Sequence, residues 1–470
     1  MTEVHGKKMY RFAKLTPERE EKITEMVELM KSSFDPLPKQ LLRLEHFAPS
    51  TPDSPTRQSS TRLYCYMFLQ AREWNVQKAF AMMKQSVAFR NKNKLDERGE
   101  LPPAIPVRGW DMEAIHKFMD TPERQMDDEI GRITAATRAF LEMGFHCWDR
   151  NGLPIFYMML GSVKARTGIK KLKQMAKIGE TPLDLCWKVL QHTMGVGEAL
   201  AVYQQLSYER GTLAVDAAEG HIRACNIVLD MKGFTFRLIW KPAIDLMRGA
   251  LKLLFQYYPD CVHRIFVVNC PTTIMCGYKL IRPTLPASVQ RKVIFAGPSD
   301  TLSALSLLID PKYIPERYGG QCRCEGGCFA SHEVGGASHG DDKESDPSEV
   351  GDVVTEDITV TAGSDYCRVF ALEREDTVAW DFAATQGKGV AFTVYFIPAA
   401  EAADMQWSTV SAKKLEPHTI ANSHTVSGAD TFVAKEQGTL VLMWANRKSW
   451  FSSKYIQLRV YKETTATVNG

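Results

Sequence analysis

The chain has 470 residues, of which 44% are hydrophobic and 24% charged, and its formal net charge is +3. This composition is that of an ordinary globular protein, and it excludes a disordered, a collagen-like and a disulfide-scaffold chain. A general nucleic-acid coat protein would carry a larger basic excess. No apolar run approaches the roughly 18 residues of a membrane-spanning helix, and the N-terminus has no apolar core of a secretory signal. The length favours about three domains.

The N-terminal part of the chain is predicted to be helical after a linker. Residues 48–60 are rich in proline, serine and threonine and are expected to form a loop or linker. Over residues 61–91, apolar side chains recur at spacings of three and four, which predicts two short helices with a break at 74–76. We therefore expect a helical and linker extension over residues 1–60 and a helical module over residues 61–135.

The middle of the chain alternates short β-branched or aromatic runs with longer helical patterns. The gaps between successive runs leave room for a crossover helix, so an α/β sheet with parallel pairing is predicted over residues 136–325. The four predicted strands are residues 155–160, 224–229, 265–269 and 293–296.

The C-terminal part is expected to be all-β. Residues 326–352, largely glycine, serine and acidic residues, are predicted to be a flexible acidic linker. Residues 353–465 alternate short strand patterns with polar or glycine-rich turns, which favours an antiparallel sandwich. Its predicted strands are residues 358–361, 367–371, 377–382, 390–397, 440–444 and 456–461.

Several stretches resemble known families. LFQYYPDCVHRIFVVNCPTTIMCGYKLIRPTLPASVQRKVIF and LLIDPKYIPERYGG resemble the lipid-binding core of Sec14-like (CRAL-TRIO) proteins. FLQAREWNVQKAFAMMKQSVAFR, GFHCWDRNGLPIFYMMLG and IVLDMKGFTF resemble upstream parts of that family, in the same order. VAWDFAAT and GTLVLMWANRKSWFSSKYIQLRVY are similar to GOLD domains. The resemblance implies an α/β Sec14-like lipid-binding fold with an N-terminal helical module, followed by an all-β GOLD-like sandwich.

The resemblance also implies a bound lipid or other lipophilic ligand in an apolar cavity, with no other cofactor. Members that bind phosphatidylinositol have headgroup residues at positions that match Arg72, Asp260 and Lys292. Arg72 and Lys292 suit a phosphate, but Glu73 stands where a lysine is usual and would repel it. For Arg72 and Asp260 the alternative is a structural salt bridge. The ligand stays open, with sterols, tocopherol-like compounds and retinoids as alternatives to a phospholipid.

A gate helix is the second feature that the resemblance implies. It matches residues 271–285, and a swing of this helix would expose the cavity and offer an apolar face to a membrane. The alternative is a plain packed helix. The gate candidates are Ile274, Met275, Tyr278 and Ile281.

Residues 164–177 form a basic stretch without any acidic residue. Anionic lipid surfaces attract such segments, so it is a candidate for membrane contact, with a solvated helix face as the alternative. The candidate residues are Lys164, Arg166, Lys170, Lys171, Lys173 and Lys177.

The cysteines give an ambiguous pattern. There are eleven of them, mostly within apolar stretches, as is usual for reduced thiols in a cytoplasmic protein. Cys322, Cys324, Cys328 and His332 do not have the spacing of a standard zinc site. Chance clustering is the favoured interpretation, with S-acylation and metal binding as alternatives, and no metal site is predicted.

The sequence favours a non-enzymatic protein that binds a lipid and transfers or presents it between membranes. It contains no Gly-x-Ser-x-Gly, His-Glu-x-x-His or P-loop motif. We expect a cytoplasmic protein, peripherally associated with endomembranes, that binds no nucleic acid. The alternatives are a lipid-sensing signalling adaptor whose GOLD-like domain recruits protein partners, and an enzyme of unknown type.

Overall fold

The chain divides into two compact units in the computed structural model. The first comprises Met1–Gly233, Leu246–Pro271 and Thr284–Ala337, and the second comprises Phe234–Asp245, Thr272–Pro283 and Ser338–Gly470. The structure describes residues 15–41, 55–97, 104–119, 128–209, 224–234, 241–271, 278, 281–329, 353–384, 389–402, 405, 412–425, 427–447, 449 and 451–463.

The helices and strands are numbered here in chain order. The helices are α1 Pro17–Ser33, α2 Pro55–Ala71, α3 Val76–Lys92, α4 Met112–Met119, α5 Asp128–Arg138, α6 Ala165–Met175, α7 Pro182–Glu209, α8 Lys241–Tyr257, α9 Ala287–Gln290, α10 Thr301–Ser306, α11 Ala399–Ala402 and α12 Ala412–Leu415. The strands are β1 Val107–Arg108, β2 Met143–Trp148, β3 Pro154–Met158, β4 Cys225–Asp230, β5 Val262–Val268, β6 Val293–Phe295, β7 Val353–Val360, β8 Asp365–Leu372, β9 Thr377–Ala384, β10 Val390–Pro398, β11 Thr419–Thr425, β12 Ser427–Val433, β13 Gly438–Ala445 and β14 Lys454–Glu463.

Helices α1, α2 and α3 share one apolar core in the first unit. The predicted pair of helices is confirmed, and Asn75 begins the second by accepting a hydrogen bond from the backbone N–H of Lys78 at 2.9 Å. The loop predicted over residues 48–60 is wrong from Pro55 onward, where α2 begins. A proline is tolerated at the first helical position because the N–H that it lacks has no partner within the helix. The core residues include Ile23, Met26, Met30, Tyr64, Phe68 and Met83.

The first unit also contains a six-stranded sheet whose spatial order follows the chain, β1 to β6. All neighbouring strands are parallel except β2 and β3, which are antiparallel. The four predicted strands correspond to β3, β4, β5 and β6, and their parallel pairing is confirmed. Helix α7 packs on this sheet through Leu185, Val189 and Leu200. A side chain at Gly197 would meet the Phe145 ring at 3.2 Å, so glycine permits this close approach.

The second unit contains two four-stranded antiparallel sheets. Their strand orders are β11-β10-β13-β8 and β12-β9-β14-β7, and they form a β-sandwich. The six predicted strands are confirmed as β7 to β10, β13 and β14. The inner faces share a core that includes Trp380, Phe382, Phe392, Leu442, Trp444 and Leu458.

No helix in the described part of the chain is long and apolar enough to cross a membrane.

Candidate functional site

A small pocket lies beside the C-terminal ends of α2 and α8 in the first unit. Its walls combine apolar groups, such as Phe255 and Val289, with the three side chains predicted from the sequence. Arg72, Asp260 and Lys292 all line this pocket, although 220 positions separate the first from the last. The structure therefore brings the predicted headgroup candidates together.

The central ion pair of the pocket joins Lys292 and Asp260. The Lys292 Nζ donates to Asp260 Oδ1 at 2.6 Å and to the carbonyl of Val262 at 2.5 Å. Burial raises the pKa of Asp260, and the nearby Lys292 ammonium opposes that rise without cancelling it. The alternative interpretation, a structural salt bridge, fits Asp260, whose partner is Lys292 rather than Arg72.

Arg72 is the second cation of the pocket, and it lies directly after the last residue of α2. Its Nη1 donates to the carbonyl of Ala71 at 3.0 Å. Burial lowers the pKa of Arg72. No carboxylate among the described residues lies within ion-pair distance of this half-buried guanidinium. With Lys292 neutralised by Asp260, Arg72 carries the excess positive charge of the pocket.

Glu73, the residue expected to repel a phosphate, does not line the pocket. It adopts a positive φ of 52° at the end of α2, and its exposed carboxylate lies 3.8 Å from the guanidinium of Arg291. The loss of the usual lysine therefore removes one positive charge without adding a negative charge to the wall.

The gate candidates are described only in part. Ile274 and Met275 lie outside the described residues. Tyr278 and Ile281 are helical and half-buried.

The basic stretch forms α6 and its flanks. Lys164, Lys170, Lys171 and Lys173 are exposed, whereas Arg166 is half-buried. The opposite side of α6 buries Ile169 and Leu172. Lys177 is exposed and pairs with Glu129 at 2.8 Å, and the following Ile178 is fully exposed. The lysines thus share the solvent-facing side of an amphipathic helix.

The three cysteines noted in the sequence lie beside a histidine that sequence reasoning missed. Cys322, Cys324 and Cys328 lie close together with His146, and the ligand atoms of all four residues lie within 4.8 Å of one another. The predicted fourth member, His332, lies outside the described residues. No spacing signal connects His146 to cysteines that lie more than 170 positions later, so the sequence alone gave no pointer to it.

The comparison with known families gives one match, in the α/β part. Residues 142–320 match the family model described as CRAL/TRIO domain. This part of the chain is thus similar to a CRAL/TRIO domain. Within the matched residues lie Asp260 and Lys292, whereas Arg72 comes from the helices that precede them and the β-sandwich follows them.

Individual relatives also match part of the chain. Protein real-time of Drosophila melanogaster is 21% identical over 258 residues, which cover 54% of this chain and 32% of that protein. The phosphatidylinositol/phosphatidylcholine transfer protein SFH11 of Arabidopsis thaliana is 29% identical over 265 residues, covering 52% of this chain and 65% of that protein. The chain thus spans less than two thirds of the length of either relative. The crystal structure of Sfh5 has a TM-score of 0.40 and 13% identity, covering 66% of this chain and 92% of that chain.

Proposed function

We propose that this protein binds a single lipid or lipophilic molecule through its CRAL/TRIO domain and transfers or presents it between membranes. Support comes from the family match and from the similarity to the Arabidopsis relative, a phosphatidylinositol/phosphatidylcholine transfer protein. The observation that carries the proposal is Arg72, a half-buried cation in a pocket whose other charges are already paired.

The ligand that fits this pocket best is a lipid with a phosphate in its headgroup. A guanidinium offers a planar fork of donors that matches phosphate oxygens, and such charge-assisted hydrogen bonds are stronger than neutral ones. Lys292 and Asp260 cancel each other, so Arg72 leaves the wall with one net positive charge.

The acyl chains need an apolar enclosure of their own. Each methylene exposed to water costs about 0.8 kcal/mol, so a carrier must cover the chains during transfer. We assign the cover to the segment 271–285 and its gate candidates Ile274, Met275, Tyr278 and Ile281. When this segment moves, its apolar side chains would meet the bilayer while the lipid exchanges.

Replacing Arg72 with alanine tests the headgroup pocket. Arg72→Ala removes hydrogen bonds to a charged group, which are worth about 1.5–3 kcal/mol, so transfer of phosphatidylinositol is expected to fall by at least about tenfold. The measurement is transfer of labelled phosphatidylinositol from donor to acceptor vesicles by the full chain. Mass spectrometry of the organic extract of the purified protein identifies the lipid that it carries.

The matched control is Arg62→Ala, because Arg62 lies on the same helix, is exposed and pairs with Glu20. This control should transfer lipid at the rate of the unmodified protein. Equal transfer by the Arg72→Ala and Arg62→Ala proteins would contradict the headgroup site. A purified chain that carries no lipid and moves none between vesicles would contradict the proposed function itself.

We also propose that α6 is the surface that meets the membrane, at the cytoplasmic side of endomembranes. Its exposed lysines are not paired with any described carboxylate apart from Lys177, and a fully exposed isoleucine, Ile178, follows them. Basic side chains gain about 1 kcal/mol each near an anionic leaflet, while an apolar tip adds contact with the acyl boundary.

The double variant Lys170→Ala, Lys171→Ala is expected to bind anionic vesicles about 25-fold more weakly, since two charges at about 1 kcal/mol each are lost. Co-sedimentation with phosphatidylserine-containing vesicles measures this effect, and added salt should reduce the difference. The control is Lys78→Ala, Lys84→Ala on α3, where both lysines are exposed. An equal loss of binding in both double variants would refute α6 as the contact surface.

The second candidate function is a lipid-sensing adaptor that recruits proteins through a GOLD-like sandwich. The observation that favours it is Phe451, an aromatic side chain that is 99% exposed between β13 and β14. Aromatic side chains of this kind are typical anchors of protein interfaces. The adaptor is preferred if bound lipid never exchanges between vesicles while partner capture depends on lipid loading and is lost in the Phe451→Ala protein.

A further inference from the structure

The group formed by His146, Cys322, Cys324 and Cys328 joins two distant parts of the first unit. His146 lies on β2 and is fully buried, whereas the cysteines follow the short helical turn Glu316–Tyr318 and are half-buried. The pairing of β2 with β3 shifts register between Phe145 and Trp148, which is a β-bulge. A bulge re-aims the side chains next to it, and here it lies at His146.

The distances within the group match a tetrahedron of ligands. The Nε2 atom of His146 lies 3.4 Å from the Sγ atoms of both Cys322 and Cys324, and those two sulfurs are 3.7 Å apart. Tetrahedral zinc, with Zn–S bonds of about 2.3 Å and Zn–N bonds of about 2.0–2.1 Å, holds two sulfurs about 3.8 Å apart and a nitrogen about 3.5 Å from each sulfur. The pairs that include Cys328 lie within 4.8 Å, so a small rotation of this thiol completes the set.

The backbone of the cysteine segment is ordered independently of its side chains. The N–H of Cys322 donates to the carbonyl of Ile314 at 3.0 Å, and the N–H of Glu316 donates to the carbonyl of Cys322 at 3.1 Å. Gly327, with a φ of +100°, donates its N–H to the carbonyl of Cys324 at 2.9 Å and turns the chain back towards His146. The thiols are therefore presented by a fixed turn, as pre-organised metal ligands are.

The surroundings favour a structural rather than a catalytic site. Phe329, directly after Cys328, is buried against Tyr157 and lies 6.0 Å from the ring of His146. The four side chains fill all four positions of a tetrahedral ion, whereas a catalytic zinc keeps one position for water. Thiolate and imidazole ligands together select zinc over magnesium, calcium and manganese.

We propose that His146, Cys322, Cys324 and Cys328 bind one zinc ion that fastens the end of the CRAL/TRIO domain to strand β2. The three thiols lose their protons to solvent as the Zn–S bonds form, and the imidazole binds as the neutral base through Nε2. The ion links positions more than 170 residues apart, so it stabilises the folded first unit over the unfolded chain. This site is independent of the lipid pocket and of the proposed function.

Metal analysis of the full chain tests the site. The protein, purified under reducing conditions without chelators, is expected to contain close to one zinc per chain by inductively coupled plasma mass spectrometry. Cys324→Ser and His146→Ala should each lose most of that zinc. Cys147→Ala is the matched control, because this thiol lies 3.9 Å from the Nε2 of His146 but outside the ligand set, and it should keep the zinc.

A measurement on the unsubstituted chain covers the case in which a variant fails to fold. Cobalt exchanged for zinc should give the intense visible bands of a tetrahedral ion together with thiolate-to-cobalt charge transfer, and a chelator should lower Tm. A chain that holds no zinc after dialysis against zinc, or an octahedral cobalt spectrum, would overturn the proposal. A disulfide between Cys322 and Cys324 in the reduced preparation, or equal zinc loss in the Cys147→Ala protein, would also overturn this ligand set.

Discussion

Replacing Arg90 with methionine is expected to destabilise the first unit by about 3–5 kcal/mol, because it leaves two carboxylates without their cation in a buried site. The side chain of Arg90 is 5% exposed, and its guanidinium binds Asp96 and Glu198 at once, with shortest distances of 2.6 Å and 2.9 Å. Burial alone would lower the pKa of Arg90, but the two carboxylates outweigh it and raise that pKa well above its usual value. Glu198 lies on α7 and Arg90 on α3, so the network joins the N-terminal helices to the helix that packs on the sheet.

Hydrogen exchange and thermal unfolding of the full chain measure this effect. Amides of α3 and α7 should lose protection in the Arg90→Met protein, and the transition of the first unit should move to lower temperature. Arg62→Ala is the control, since its exposed ion pair is worth at most about 1 kcal/mol. Adding Asp96→Leu and Glu198→Leu to Arg90→Met should restore part of the lost stability, because the two carboxylates without a cation are then removed. If Arg90→Met lowers the unfolding free energy of the first unit by less than about 1 kcal/mol, the network behaves as a solvated surface ion pair and the expectation is wrong.

Secondary structure was predictable wherever apolar side chains form a periodic pattern or a short β-branched or aromatic run. Helices α2 and α3 and ten strands correspond to predicted segments, because the helices show the period of their element and the strands show that period or a short apolar run. Strands β2, β11 and β12 were missed. Most of the β11 side chains are exposed, since this strand is at the edge of its sheet, and an edge strand needs no apolar face. β1 spans only two residues, too few for a sequence pattern, and it is a strand because it pairs with β2.

The headgroup pocket was predictable only through the family resemblance. Nothing in the local pattern around Arg72, Asp260 or Lys292 marks them as neighbours, because α2, the end of α8 and β6 are far apart in the chain. The partner of Asp260 could not be read from the sequence: Asp260, in a turn with a φ of 43°, pairs with Lys292, 32 positions later. His146 was missed for a related reason. A ligand set divided between a strand and a distant turn has no fixed spacing, and only the fold brings its members together.

Replacing Trp444 with alanine is expected to destabilise the β-sandwich by about 3–5 kcal/mol, the cost of deleting a large aromatic side chain from a filled core. Trp444 is fully buried on β13, and its ring centroid lies 5.1 Å from that of Phe392 and 5.4 Å from that of Phe382. Domains commonly unfold at a cost of about 5–15 kcal/mol, so this loss removes a large part of the sandwich's stability. Calorimetry of the full chain should show the transition of the second unit at a lower temperature.

The same protein separates the two candidate functions. If lipid transfer belongs to the CRAL/TRIO domain, the Trp444→Ala chain should still carry and transfer lipid at temperatures where its sandwich is unfolded, and only partner capture should be lost. Trp444→Phe is the conservative control. It keeps an aromatic ring and removes an indole N–H that has no hydrogen-bond partner among the described residues. The Trp444→Phe protein should therefore lose much less unfolding free energy than the Trp444→Ala protein. Phe451→Ala changes a fully exposed side chain, so the free energy of unfolding of the sandwich should stay within about 0.5 kcal/mol of that of the unmodified protein. Loss of lipid transfer in the Trp444→Ala protein, with the transition of the first unit unchanged, would mean that the sandwich itself takes part in moving the lipid.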